Sequence, residues 1–131
     1  MTPSTAYPRI LLVEDDADFR EAVRDMLYDR GFLEVTEASD GLDGVQIVQT
    51  SEPDVVVMDV RMPRLGGIEA VQVMRRIRPD LPIVLLTAYD DAGIKREALA
   101  AGVTGYLLKG CPPASIMVEI MRAWGKGDPG P

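Results

Sequence analysis

The sequence predicts an α/β fold built on a parallel β-sheet. Three observations point that way. Short, nearly continuous apolar runs recur along the chain, amphipathic helical stretches separate them, and Asp, Gly or Pro stands at the junctions. A strand covered on both faces reads as an unbroken apolar run, and parallel neighbours need a crossover, which is almost always right-handed.

The elements follow in order. "RILLV" (9–13) is the first strand. In "DADFREAVRDMLYDRG" the residues Phe19, Ala22, Val23, Met26 and Leu27 keep helical spacing, Asp16 is placed to cap the N-terminus, and Gly31 stands where a terminating glycine belongs. "FLEVTEA" (32–38) alternates apolar and polar residues and reads as a strand nearer an edge. "VVVM" (55–58), "IVLL" (83–86) and "GYLL" (105–108) are the remaining strands. Helices are expected from "DGLDGVQIVQTSEP", "GGIEAVQVMRRIRP", "DDAGIKREALAAG" and "PPASIMVEIMRAWGKG". Five strands thus alternate with five helices, without repeats or low-complexity tracts.

Composition narrows the function. A chain of 131 residues with 47% hydrophobic and 27% charged residues reads as one ordinary globular domain. Its net charge of −7 gives no support to nucleic-acid binding by this domain alone, because phosphate backbones select clustered Lys and Arg. The lone Cys111 cannot form an internal disulfide and is expected to be a small semi-buried side chain. With no histidine, zinc and copper sites are disfavoured. The start, "MTPSTAYPRILLVEDD", lacks a basic segment and its apolar run ends at Val13, so the expectation is a cytoplasmic protein without a membrane span. Residues 8–126 are expected to form the domain and 127–131, rich in Gly and Pro, a tether or a cut point.

Ligands of such sheets bind beyond the carboxyl ends of the strands, where strand order reverses. Those ends carry Glu14, Asp15 and Asp16 after the first strand, Asp59 after the third, Thr87 after the fourth and Lys109 after the fifth. A lone carboxylate at the mouth of a buried strand is costly unless something answers it. Several side by side repel by roughly 4 kcal/mol per pair at about 4 Å and an effective dielectric of about 20. A hard dication is the natural remedy, and magnesium suits one or two carboxylates plus waters. With the ammonium of Lys109 and the hydroxyl of Thr87, the set makes a pocket for a doubly negative group on a carboxylate, a phosphoryl group on Asp59.

"ILLVEDD", "VVVMDVRMP" with Gly67 eight residues after Asp59, "LLTAY" and "GYLLK" occur here in that order. Together they resemble the receiver domain of two-component response regulators, most of all those that precede a LuxR-type helix-turn-helix domain. The resemblance implies a flavodoxin-like, doubly wound (βα)5 sheet of strand order 2-1-3-4-5. It implies that Asp59 takes a phosphoryl group from a phosphohistidine of a sensor histidine kinase. Asp15 and Asp59 would then bind Mg2+ directly, Arg61 through its backbone carbonyl and Glu14 through water. Thr87 and Lys109 would hold phosphoryl oxygens, and Tyr106 would turn inward when Thr87 moves. The readout would be the face made by the fourth helix, fifth strand and fifth helix, controlling transcription through an output domain.

Some residues depart from that family's pattern. Gly110 follows Lys109 where the family usually has proline, often with a cis peptide, and the Lys109 loop is expected to be looser or held by another geometry. Gly66 replaces a commonly acidic residue, which predicts a flexible loop, while Arg61 and Tyr89 are placed to screen the phosphoryl group from water. In the last helix, apolar residues spread more widely than one core-facing stripe needs, which predicts either a helix set deeply in the domain or a homodimer or output-domain contact centred on Met117, Met121 and Trp124. The rival readings are an aspartyl-phosphate hydrolase or transferase and a plain interaction module. Arg61 stands at the i+2 place where the former would need a second aspartate, and a dinucleotide site lacks its G-x-G-x-x-G.

Overall fold

The computed structural model describes residues 7–88 and 90–125. Its elements run β1 (Ile10–Val13), α1 (Ala17–Asp29), β2 (Val35–Ala38), α2 (Gly41–Ser51) and β3 (Val55–Met58), then α3 (Gly67–Ile77), β4 (Ile83–Thr87), α4 (Ala92–Ala101), β5 (Gly105–Leu108) and α5 (Pro113–Trp124). All strands pair in parallel, in the order β2-β1-β3-β4-β5. This is the flavodoxin-like arrangement, with the reversal of order between β1 and β3.

The apolar runs become strands because both sheet faces are covered. Every residue of β1, β3 and β4 is buried. Leu11, Val13, Val56, Met58 and Leu85 pack against residues of α2, α3 and α4. Their alternates Ile10, Leu12, Val55, Val57, Val84 and Leu86 pack against α1 and α5. Period-two alternation thus sends each strand's side chains into two separate apolar layers.

The starts of α1, α2 and α4 are set by aspartates. Asp16 Oδ1 accepts the N–H groups of Asp18 at 3.0 Å and Phe19 at 3.2 Å. Asp40 and Asp91 do the same for α2 and α4. Pro113 opens α5, where a missing N–H costs nothing.

Two expectations need correction. β2 covers only Val35–Ala38. Phe32 belongs to the end of α1 instead: its N–H donates to the Leu27 carbonyl at 3.0 Å and its ring meets Tyr7, centroid to centroid, at 4.9 Å. Gly31, at φ +105°, makes the reversal that sends the chain there. The apolar surface of α5 also differs from expectation. Met121 is 5% exposed and lies in the core, while Met117 and Trp124 pack against the same layer. Met121 therefore cannot serve as a docking residue in this conformation, and the outward apolar side chain of α5 is Val118, 60% exposed. No helix among the described residues is long and apolar enough to cross a membrane. The tether expected at 127–131 lies outside the described residues.

Gly67 is where α3 touches the sheet most closely. A Cβ there would lie 2.1 Å from the Asp59 carbonyl oxygen and 2.9 Å from Val60 Cα, both of them backbone. Gly67→Ala is expected to destabilise the domain by about 1–3 kcal/mol, as overpacking does. Urea unfolding with a lowered midpoint and unchanged slope checks it.

Candidate functional site at the carboxyl edge of the sheet

The backbone ladder runs one residue past the strands and so carries the site. Glu14 N–H donates to the Ala38 carbonyl at 3.0 Å, Asp59 N–H to that of Val13 at 3.0 Å, and Lys109 N–H to that of Thr87 at 2.7 Å. Each chemical side chain is thereby anchored by sheet hydrogen bonds, even though it stands in a loop.

Glu14, Asp15 and Asp59 each bring a carboxylate oxygen within 4.8 Å of the others. Glu14 and Asp59 are buried and Asp15 is exposed. Lys109 answers the two buried acids: its Nζ lies 2.7 Å from Glu14 Oε1 and 3.1 Å from Asp59 Oδ2. Backbone donors take the other oxygens, with Asp16 N–H on Glu14 Oε2 at 3.0 Å and Val60 N–H on Asp59 Oδ1 at 2.7 Å. The convergence expected of Asp15, Asp59 and Lys109 is present in the fold. Asp16 is a helix cap and no part of the cluster.

Burial pushes the Glu14 carboxyl up to about 7, and the neighbouring Asp59 charge adds to the rise, while hydrogen bonds from Lys109 and Asp16 oppose it. Burial also pulls the Lys109 ammonium down, but its bonds to Glu14 and Asp59 outweigh this and hold its pKa above the ordinary lysine value. The donor set is all oxygen and partly open to water, which fits a hard cation such as magnesium.

Thr87 ends β4 and is fully buried. Arg61 is exposed, two residues past Asp59. Tyr106 is half-buried on the α2–α3–α4 side, with Lys95 Nζ 5.9 Å above its ring. Burial raises the Tyr106 pKa, and Asp90 and Asp91 add to it. The screening role expected of Tyr89 falls outside the described residues.

The loop after Asp59 is held more firmly than Gly66 suggested. Gly66 is extended and caps α3, and Gly67 N–H donates to the Val60 carbonyl at 2.7 Å. Arg64, at φ +66°, straps the loop to α2: Nε lies 2.8 Å from Asp40 Oδ2, and Nη2 3.1 Å from Asp40 Oδ1 and 2.8 Å from Asp43 Oδ1. Gly110 sits at φ +98°, a region closed to proline, and no cis peptide bond occurs among the described residues. The Lys109 loop therefore has another backbone geometry than a proline would impose, as the departure implied.

Residues 10–121 match the response regulator receiver domain family. The chain belongs to that family. This receiver domain is 38% identical over 116 residues, 88% of its length, to the response regulator UvrY of Escherichia coli, of which it covers 53%. It spans about half the length of the curated relatives it matches. Among solved structures it resembles a LuxR-family two-component response regulator from Aurantimonas sp., with a TM-score of 0.83 and 31% identity over 92% of this chain and 88% of that one. It also resembles the chemotaxis protein CheY4 of Vibrio cholerae, with a TM-score of 0.82 and 32% identity over 88% of this chain and 97% of that one. Receiver domains are signalling proteins rather than classical enzymes.

The shifted Glu14 sets a pH dependence. With its pKa at 4.5 when unfolded and about 7 when folded, the native state holds the proton more tightly. This contribution is full below about 4.5 and is lost as pH rises through about 7. The metal-free Glu14→Gln receiver domain is therefore expected to gain stability over wild type across that window and to hold a constant advantage above it. Urea titrations at stepped pH, with chelator present, measure the difference.

Proposed function

We propose that this receiver domain is a phosphorylation-dependent switch in which Asp59 takes a phosphoryl group from a phosphohistidine on a sensor histidine kinase. The observation that carries the reading is the shared contact of Lys109 with Glu14 and Asp59, beside a third carboxylate, at the switch point of the sheet. An Asp59 carboxylate oxygen bonds to phosphorus as the phosphorus–nitrogen bond of the phosphohistidine breaks. Val60 N–H holds one oxygen of the nucleophile in place, and Lys109 faces the other. Asp15 and Asp59 would hold Mg2+ directly, with the Arg61 carbonyl and, through water, Glu14. Bound there, the metal ion would neutralise charge on the phosphoryl oxygens.

Thr87 and Lys109 then hold phosphoryl oxygens, and Tyr106 follows Thr87. Contacts made only in the phosphorylated form favour one of two conformations of the α4–β5–α5 face. That face passes the signal to an output domain, or to a second receiver, and so to transcription. The support is the length of the relatives and the LuxR-family regulator whose structure is similar. Residues 8–126 are the receiver and 127–131 the tether, in a cytoplasmic protein whose receiver itself does not bind nucleic acid. Any homodimer uses α4–β5–α5 or α5, by way of Met117, Trp124 and the outward Val118 rather than Met121.

Incubation with acetyl phosphate and Mg2+, followed by intact mass, is expected to show one added phosphate. The addition is lost in Asp59→Asn and with chelator. Phosphate on the Asn variant, or turnover of added phosphoesters without a phosphorylated protein, would contradict the reading.

A further inference from the structure

The ammonium of Lys109 has a third neighbour besides its two carboxylates. Its Nζ lies 4.5 Å from the centroid of the Phe19 ring, within the range of a cation–π contact. Phe19 stands in the first turn of α1, and its N–H is bound to the capping Asp16 Oδ1 at 3.2 Å. The origin of the ring is therefore fixed by the same cap that starts the helix. A cavity of about 240 Å³, lined by Phe19, Met26, Lys109, Cys111 and Ile116 among others, adjoins the contact. The lysine stem has room to travel beside the ring.

We infer that Phe19 is a positioning residue: its ring face keeps the Lys109 ammonium at the site while the lysine exchanges Glu14 for a phosphoryl oxygen. The inference rests on the reading that Asp59 is phosphorylated. The reason lies in what the other two contacts become. Glu14 and Asp59 are candidate ligands of a divalent cation, and Asp59 loses its free carboxylate on phosphorylation. Both acceptors that now hold the ammonium are thus called away during the reaction. The ring face competes for no carboxylate and holds its partner throughout. Lysine is a flexible four-carbon stem carrying a compact charge, so the loss of such a rest costs it orientation. Leu or Met at position 19 would fill similar space against α1 and α5 but present no negative face to a cation.

The test compares Phe19→Leu, Phe19→Met and Phe19→Tyr with wild type. The rate of Asp59 phosphorylation by acetyl phosphate with Mg2+ is expected to fall about three- to ten-fold in Leu and Met, on the usual scale of such contacts, and to stay within about two-fold in Tyr. A second readout needs neither phosphate nor metal. The ε-methylene protons of Lys109 are expected to be shifted upfield by the ring in the proton spectrum of wild type and Tyr, and not of Leu or Met. If one variant fails to fold, the other aliphatic one carries the comparison. Wild-type rates in Leu or Met, a Tyr variant as slow as Leu, or an unshifted Lys109 in wild type would each overturn the role of Phe19. A wild type that takes no phosphate on Asp59 would instead overturn the reading of function, and this inference with it.

Discussion

Glu14 and Asp59 stand at the ends of adjacent strands, and the ammonium between them is what lets two buried carboxylates coexist. Glu14 is 2% exposed and Asp59 7%. Removing either charge from water costs several kcal/mol, and only close, well-directed partners return it. Lys109 supplies one such partner, and the backbone N–H groups of Asp16 and Val60 supply the others. The balance is incomplete, since the Glu14 carboxyl still rises to about 7. The ammonium thus leaves part of the burial cost unmet, which a proton on Glu14 or, on the proposed reading, a divalent cation would offset. On the proposed reading, that unfinished balance makes the cluster receptive, because a site neutralised once and for all would gain nothing from a new ligand.

The scaffold keeps the acids from relaxing apart. Ladder hydrogen bonds that run past β1, β3 and β5 fix the backbone at Glu14, Asp59 and Lys109, so repulsion cannot be relieved by moving a loop. On the far side of Asp59, the strap from Arg64 to Asp40 and Asp43 ties the β3–α3 loop to the start of α2. Asp40 serves two purposes there, capping α2 and holding the guanidinium, and the pairing holds its own carboxyl below the usual range. A left-handed backbone at a non-glycine residue is strained, and it persists where its surroundings overdetermine it. At Arg64 the surroundings are two carboxylates and a Gly41 whose missing side chain lets Leu65 approach.

What could be read from the residues was whatever depends on local pattern. β1, β3 and β4 were legible because strands covered on both faces are apolar throughout, and Asp16 because a cap sits in fixed relation to its own helix. The strand-end acids, Thr87 and Lys109 were legible once the parallel sheet was granted, since topology alone sends those ends to one edge. The start of β2 was not, because Phe32 is claimed by α1 and Tyr7, and a short alternating run does not reveal which neighbour takes its first residue. The burial of Met121 was not either: α5 packs on the sheet and on α1 at once, so its covered stripe is wider than one contact surface implies. Arg64 escaped notice because its partners lie 24 and 21 residues away. Phe19 has the spacing of a core-facing residue and packs half-buried against the α1–α5 layer, and nothing local says that Lys109 crosses its face.

The alternation of β5 then separates two tasks. Tyr106 points into the layer of α2, α3 and α4, while Leu107 points into that of α1 and α5. Lys109, two residues beyond Leu107, falls on the latter side, which is why it meets Phe19. Lys109 and Tyr106 thus lie on opposite sides of the sheet. The β4–β5 ladder joins them through the backbone: Lys109 N–H is bound to the Thr87 carbonyl at 2.7 Å, and Thr87 pairs with Leu108 as Leu85 does with Tyr106. Under the proposed switch Thr87 would be the hinge between them, because its backbone is tied to the lysine and it ends β4 at the acidic edge.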